Sequence, residues 1–272
     1  MDALELVLFP LRAYLITCFG DIPAMSLLMK MKGHNGKRPC RMCMIEAVPG
    51  PDSRTHYVPL DRSSHPNIAD STKTTIYDPH NLPMRTEKQF MAQAAEVESQ
   101  HTKAAAERLS KQYGVKGTPM LSRLGSLSFP KSVPYDFMHQ IFENLLPNLV
   151  AHWTADFKGL DDGEEEYELA NTVWQAVGLE TGKAGDTIPS AYGGRVPNIQ
   201  QYKSEMNAEH WSFWALYIAP VVLRRRFQKP KYYQHFVKLV KLLNVCLQYE
   251  ISRKEIDELE RGFEEWVKEY EK

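Results

Sequence analysis

Leu11-Arg12-Ala13-Tyr14-Leu15-Ile16-Thr17-Cys18-Phe19-Gly20-Asp21-Ile22-Pro23-Ala24 is the stretch on which the reading of the fold turns. From Leu11 to Phe19 it is a nearly continuous run of aliphatic, aromatic and β-branched residues, which predicts a buried strand. Gly20 ends the run, and Asp21 stands just past the strand's carboxyl end. Ile22-Pro23-Ala24 then opens a helix, with proline in the first turn where its missing N–H costs nothing. That helix is expected to pass through Met25, Leu28 and Met29 as far as Met31 and to stop at Gly33. A lone strand cannot satisfy its own N–H and C=O groups, and Met1 precedes this one almost at once. The sequence therefore reads as an internal segment of something larger.

The whole chain has 272 residues, with 33 Lys+Arg against 34 Asp+Glu, a formal charge of -1, and 43% hydrophobic residues. Such a composition belongs to a soluble globular protein and excludes disordered, collagen-like and low-complexity classes. Charge or proline interrupts every apolar run well short of about 18 residues, which argues against a transmembrane helix. Asp2, Glu5 and Pro10, with no small-residue cleavage pattern, argue against a secretory signal. The expected location is the nucleus or cytoplasm, neither secreted nor in a membrane. A free-standing nucleic-acid-binding domain usually has a basic surplus; this chain has none, so DNA contact must be local or completed elsewhere.

Three regions are expected: 1–33, a strand plus helix; 34–84, an irregular Cys/His-containing segment; and 85–272, a helical region. The middle one is rich in proline, glycine, serine and histidine without any period, and a loop of that length needs a function or a clamp. Thr86 followed by Gln89 is a capping box for a long helix with Phe90, Ala94, Val97, Ala104 and Leu109, ending near Gly114. Tyr135 to Asp156 reads as another helix, kinked or split by Pro147. A helix led by the acidic stretch Asp161–Glu168 reaches Val177, and Gly182–Pro197 is a connector. Helices over Ala208–Leu223, Tyr232–Leu247 and Ser252–Tyr270 follow, the last opened by the capping box Ser252-x-x-Glu255. The expected fold class is mostly α with one or two strands.

Chemistry concentrates in a few places. Asp21, a carboxylate at a strand end, suits a divalent-metal site for phosphodiester chemistry, or simply caps the helix at Ile22. Cys40-Arg41-Met42-Cys43 has the spacing that lets two thiolates reach one tetrahedral zinc, as half of a site. Local candidates for further ligands are His34, His56 and His65. A thioredoxin-type pair is disfavoured because no strand directly precedes it. Asp136-x-x-His139 places both side chains on one helical face, where they share a ligand or make an ordinary surface bond. Arg224-Arg225-Arg226 with Lys229 and Lys231 could contact phosphate but fits a solvated helix end better. His210, Trp211 and Trp214 read as packing residues. No Gly-rich phosphate loop and no Gly-x-Ser-x-Gly elbow occurs.

Taken in order, Phe9-Pro10-Leu11-Arg12-Ala13, Gly20-Asp21-Ile22-Pro23-Ala24, Cys40-Arg41-Met42-Cys43, Tyr77-Asp78 to Leu82-Pro83, Asp136-Phe137-Met138-His139, and Gly194-Arg195 through Glu209-His210-Trp211 to Pro220 resemble the transposases of CACTA (En/Spm-type) DNA elements. The resemblance spans most of the chain. It implies an incomplete ribonuclease-H-like α/β core fragment with an α-helical insertion, and a parent reaction of Mg-dependent DNA strand cleavage and transfer. By resemblance Asp21 matches the second of three catalytic acids that hold Mg. Cys40 and Cys43 match the family's Cys pair, which in related recombinases shares zinc with two downstream histidines. Asp136 and His139 match a family motif of underived role. The first aspartate, the final glutamate and the downstream histidines have no counterpart here, so the chain alone is expected to be inactive. The implied partners are transposon-end DNA and a full-length transposase, with no membrane and no small-molecule substrate. The alternative is a non-enzymatic helical module that binds DNA or a transposase and carries a structural zinc site.

Overall fold

The computed structural model of the protein describes residues 10, 12–34, 36–50, 56–63, 74–158 and 163–272, and it is mostly helical. Two compact units emerge, one of residues 1–77 with 82–136 and the other of 78–81 with 137–272. The division at 136/137 falls inside the single helical region expected from residue 85 onward.

In the first unit, the strand expected over Leu11–Phe19 does not form at its described positions (Leu11 lies outside them). Residues 12–20 have no regular structure, and Tyr14, Ile16 and Phe19 are 68%, 71% and 68% exposed. Strand propensity expresses packing against neighbouring strands, and none lies alongside among the described residues. Two bonds tie this stretch instead: Cys18 N–H donates to Ser132 O at 2.9 Å, and Ser126 Oγ donates to Leu15 O at 2.7 Å. Helix α1 follows as expected but is short, Ile22–Leu28, with Pro23 in its first turn.

The core of this unit gathers Met29, Met31, Phe90, Ala94, Val115, Leu127, Phe129 and Val133, with the Phe90 and Phe129 rings stacked at 6.2 Å. Helix α2, Glu87–Glu98, carries the Thr86–Gln89 capping box read from the sequence. It does not continue to Gly114. Ser99 Oγ donates back to Glu96 O, and Thr102 caps a separate helix, α3, Lys103–Tyr113. Residues with side-chain oxygens compete with the helix backbone for hydrogen bonds, which makes this a natural break. Before α2, two-residue strands β1, Val48–Pro49, and β2, His56–Tyr57, pair antiparallel, and an isolated bridge joins Cys43 to Met84.

The second unit is helical among its described residues. A π-helical segment, Met138–Leu145, runs into α4, Leu146–Trp153. Then come α5, Asn171–Ala184, and α6, Ile199–Tyr202. Helix α7, Ala208–Phe213, runs through a second π-helical segment, Trp214–Ile218, into α8, Ala219–Val222. The amphipathic pair α9, Pro230–Cys246, and α10, Arg253–Tyr270, completes it, with the Ser252–Glu255 capping box in place. Helix α5 begins later than the acidic stretch suggested and runs into the expected connector; Asp161 lies outside the described residues.

Both π segments precede a proline. Leu146 N–H reaches back to Ile141 O ahead of Pro147, and Ala219 N–H reaches Trp214 O ahead of Pro220. A proline in a helix removes one bond and crowds the carbonyl four residues back. Widening the preceding turn relieves that crowding while the chain keeps its direction.

Every tryptophan in the chain is buried in this unit: Trp153, Trp174, Trp211, Trp214 and Trp266. Indole N–H groups need partners when buried. Trp214 Nε1 donates to Thr181 Oγ1 at 3.2 Å, and the Thr181 hydroxyl in turn donates to Val177 O at 2.8 Å. Trp266 Nε1 donates to His235 O at 3.0 Å, while the His235 ring stacks on Trp266 at 4.5 Å with its Nε2 3.0 Å from Trp266 O. No helix among the described residues is long and apolar enough to cross a membrane.

The His235–Trp266 contact makes α9–α10 packing sensitive to acid. Burial holds the His235 imidazole below its ordinary value and the repulsion of Lys238 adds to this, while the Trp266 carbonyl and Glu269 work the other way. A ring whose folded value is depressed contributes stability that is present above its unfolded value of about 6.5 and lost as pH falls through the folded one. Thermal melts between neutral and mildly acidic pH should show Tm falling, and His235→Gln should flatten that fall; an unchanged slope in the variant refutes the assignment.

Candidate functional site

Residues 40–43 form a tight turn in which both ends of the Cys-x-x-Cys motif converge. Cys40 Sγ accepts from Met42 N–H at 3.3 Å and from Cys43 N–H at 3.2 Å. The Tyr135 hydroxyl, from the far end of the same unit, donates to the same sulfur at 3.5 Å. Arg41 closes over this tyrosine: its N–H donates to the Tyr135 oxygen at 3.4 Å, and its guanidinium lies 4.1 Å from the ring centre. Cys43 and Arg41 are each 4% exposed, and Cys40 is half-buried.

Donors aimed at a sulfur favour its anion. The Cys43 thiol is the strongest influence holding Cys40 well below the ordinary thiol value; burial opposes it, and Tyr135 and the two backbone N–H groups reinforce it. The same bond, with burial, pushes Cys43 up, because it keeps the shared proton. Burial foremost, then the Cys40 charge, raises the Tyr135 hydroxyl.

Arg85 underlies the turn. Its Nε donates to Cys40 O at 3.0 Å and to Cys43 O at 3.2 Å, and its Nη2 donates to Tyr113 O at 2.9 Å and reaches Arg38 O at 3.5 Å. Its own N–H donates to Met42 O at 2.8 Å. Gly114 makes this approach of α3 to the turn workable: at φ 75° it closes the helix, and a Cβ there would stand 2.3 Å from Arg38 O. Beside the turn, Glu46 meets Arg38 at 2.7 Å with Lys37 and Arg62 nearby. Burial would raise the Glu46 carboxyl, but the Arg38 bond and the three cations outweigh it and hold the value low.

Two soft thiol donors at this spacing fit one half of a tetrahedral thiolate zinc site. Neither His34 nor His56 joins them: among the described residues no three His, Cys, Asp or Glu side chains are grouped to hold a metal ion. His65 lies outside the described residues.

The other expected site residues lead elsewhere. Asp21 is exposed, and its Oδ1 accepts from Ala24 N–H at 2.5 Å as the cap of α1. With no strand behind it among the described residues, the side chain is spent on the helix. One carboxylate in that role does not fit a two-Mg²⁺ centre. Asp136 ends the first unit, where its charge acts on Arg41. His139 lies in the first turn of the second unit, with Nε2 3.7 Å from Glu143 Oε2. Arg226 pairs with Glu180 at 2.6 Å and Lys229 with Glu166, while Arg224 and Arg225 face solvent. His210 completes a capping box with Asn207. A groove beside α5 is lined in part by Lys183, Arg195 and Tyr202, but Arg195 is already held by Asp186 at 2.6 Å and by Gly182 O.

Arg85 and Tyr135 were not singled out from the sequence. They lie 45 and 95 positions from Cys40, and no local spacing links them to it. The one available signal was a lone arginine just ahead of the Thr86 capping box. No protein-family model, no curated protein and no solved structure matches this chain.

Asp21→Ala should cost about 1 kcal/mol of stability in urea unfolding, the usual worth of a helix cap; a neutral substitution removes the capping role. In the metal-free protein, iodoacetamide should alkylate Cys40 at a lower pH than an ordinary thiol, because its thiolate survives further into acid. Tyr135→Phe takes away a donor and should move that midpoint upward; no movement disproves the contact.

Proposed function

We propose that this chain is a module of a CACTA-type DNA transposase in which Cys40 and Cys43 supply half of a structural zinc site. The observation that carries the reading is the turn itself: two thiols held facing one another, with backbone N–H groups and the Tyr135 hydroxyl aimed at Cys40. The ordered motif resemblance from Gly20-Asp21 to Pro220 supports the same family. Ribonuclease-H-like ancestry, transposon-end DNA as partner and a nuclear site of action all follow from that reading and stand or fall with it.

On this proposal the chain's role is in assembly, not strand cleavage. Asp21 caps α1, so the Mg-dependent steps of the parent reaction draw their acids from elsewhere. Zinc would supply a structural cross-link. Cys40 and Cys43 would hold it on one side, and the remaining ligands would have to come from outside the described residues.

Cobalt titration tests this directly. Co²⁺ should give thiolate-to-metal charge-transfer absorption that both Cys40→Ser and Cys43→Ser abolish, and the isolated chain should not nick element-end DNA with Mg²⁺ or Mn²⁺. The reading is lost if no thiolate band appears, or if nicking occurs and Asp21→Ala removes it.

A further inference from the structure

We infer that Arg85 is the positioning residue of the Cys40–Cys43 turn, setting the separation of the two sulfurs through the carbonyls of their own residues. The inference rests on the thiolate-metal reading above and extends it to a residue outside the motif.

Geometry makes the case first. One Nε–H is shared between Cys40 O and Cys43 O, the carbonyls at the two ends of the turn, so a single rigid donor spans the motif. The guanidinium plane then ties that donor to the last residue of α3 through Tyr113 O. The Arg85 main chain holds the turn's middle at Met42 O, next to the Cys43–Met84 bridge. The turn is therefore clamped at both ends and at its centre by one residue of a distant segment, and anchored to a helix end. Lysine cannot reproduce this: its ammonium lacks the planar fork that reaches carbonyls on opposite sides at once.

Burial makes the second case. Arg85 is 4% exposed, and a buried guanidinium is costly unless its N–H groups find partners. The partners it finds are the carbonyls of Arg38, Cys40, Cys43 and Tyr113, so the burial of this side chain and the shape of the turn depend on one another. Its Nη1 is buried without a hydrogen-bond partner. Residues that orient first ligands in this manner typically govern metal affinity by about 10- to 100-fold.

The experiment compares Co²⁺ affinity and thiolate-to-cobalt absorption in the full-length chain, in Arg85→Lys, in Arg85→Met, and in Phe90→Leu as a control. Phe90 packs in the apolar core with Met29 and Phe129, a cluster that includes none of the turn residues 40–43, so it reports what loss of stability alone does. Arg85→Met should bind cobalt about 10- to 100-fold more weakly with an altered band, and Arg85→Lys should fall between it and the parent. Phe90→Leu should lower Tm and leave the band and affinity in place. Arg85 variants that bind like the parent, or that lose affinity only as far as Phe90→Leu does at equal loss of Tm, overturn the inference and leave the thiolate site standing. A parent chain that takes up no cobalt overturns both.

Discussion

The buried guanidinium of Arg85 is the contact on which the first unit depends. Among the described residues of 34–84 there is almost no regular structure, and the strands are two residues long. Its backbone polar groups are met partly by other backbone groups, as in Met44 N–H to Pro83 O and Ala47 N–H to Lys37 O, and partly by side chains. Arg85 meets the carbonyls of Arg38, Cys40, Cys43 and Tyr113. Each hydrogen bond from a charged donor is worth about 1.5–3 kcal/mol net, which offsets part of the cost of burying the charge. The Cys turn is held by hydrogen bonds, and the apolar core of Met29, Phe90 and Phe129 lies beyond it.

The second unit uses different physics. Its stability comes from apolar burial around five tryptophans, each with a large surface removed from water. Polar atoms in that core are few and mostly paired, as in the chain from Trp214 through Thr181 to Val177 O. Two prolines that would break ordinary helices are absorbed by π-helical segments. The helices keep their direction, and the apolar stripes stay aimed inward.

Of the candidate chemistry, the part carried by short spacing was the part that could be read. Cys40 and Cys43 are close in sequence and close in space, since a four-residue turn brings them together. Asp21 was legible as a cap from Ile22-Pro23-Ala24, and the cap is what the structure displays. Its more ambitious role needed a strand, and Tyr14, Ile16 and Phe19 instead stand exposed. Apolar character along a chain shows that residues suit burial; it does not say what covers them.

By itself the sequence determined the helices whose caps and periods are local: the Thr86–Gln89 and Ser252–Glu255 boxes, the presence of α9 and α10, and the stop at Gly114. It also placed two thiols at a spacing that lets them meet. Only the tertiary structure decided where the long helix after Thr86 breaks, that the chain divides at 136/137, and that Arg85 and Tyr135 converge on Cys40. The reason is range. Caps and helical faces are set by residues three or four apart, whereas a buried cation finds its carbonyls only after distant segments have packed.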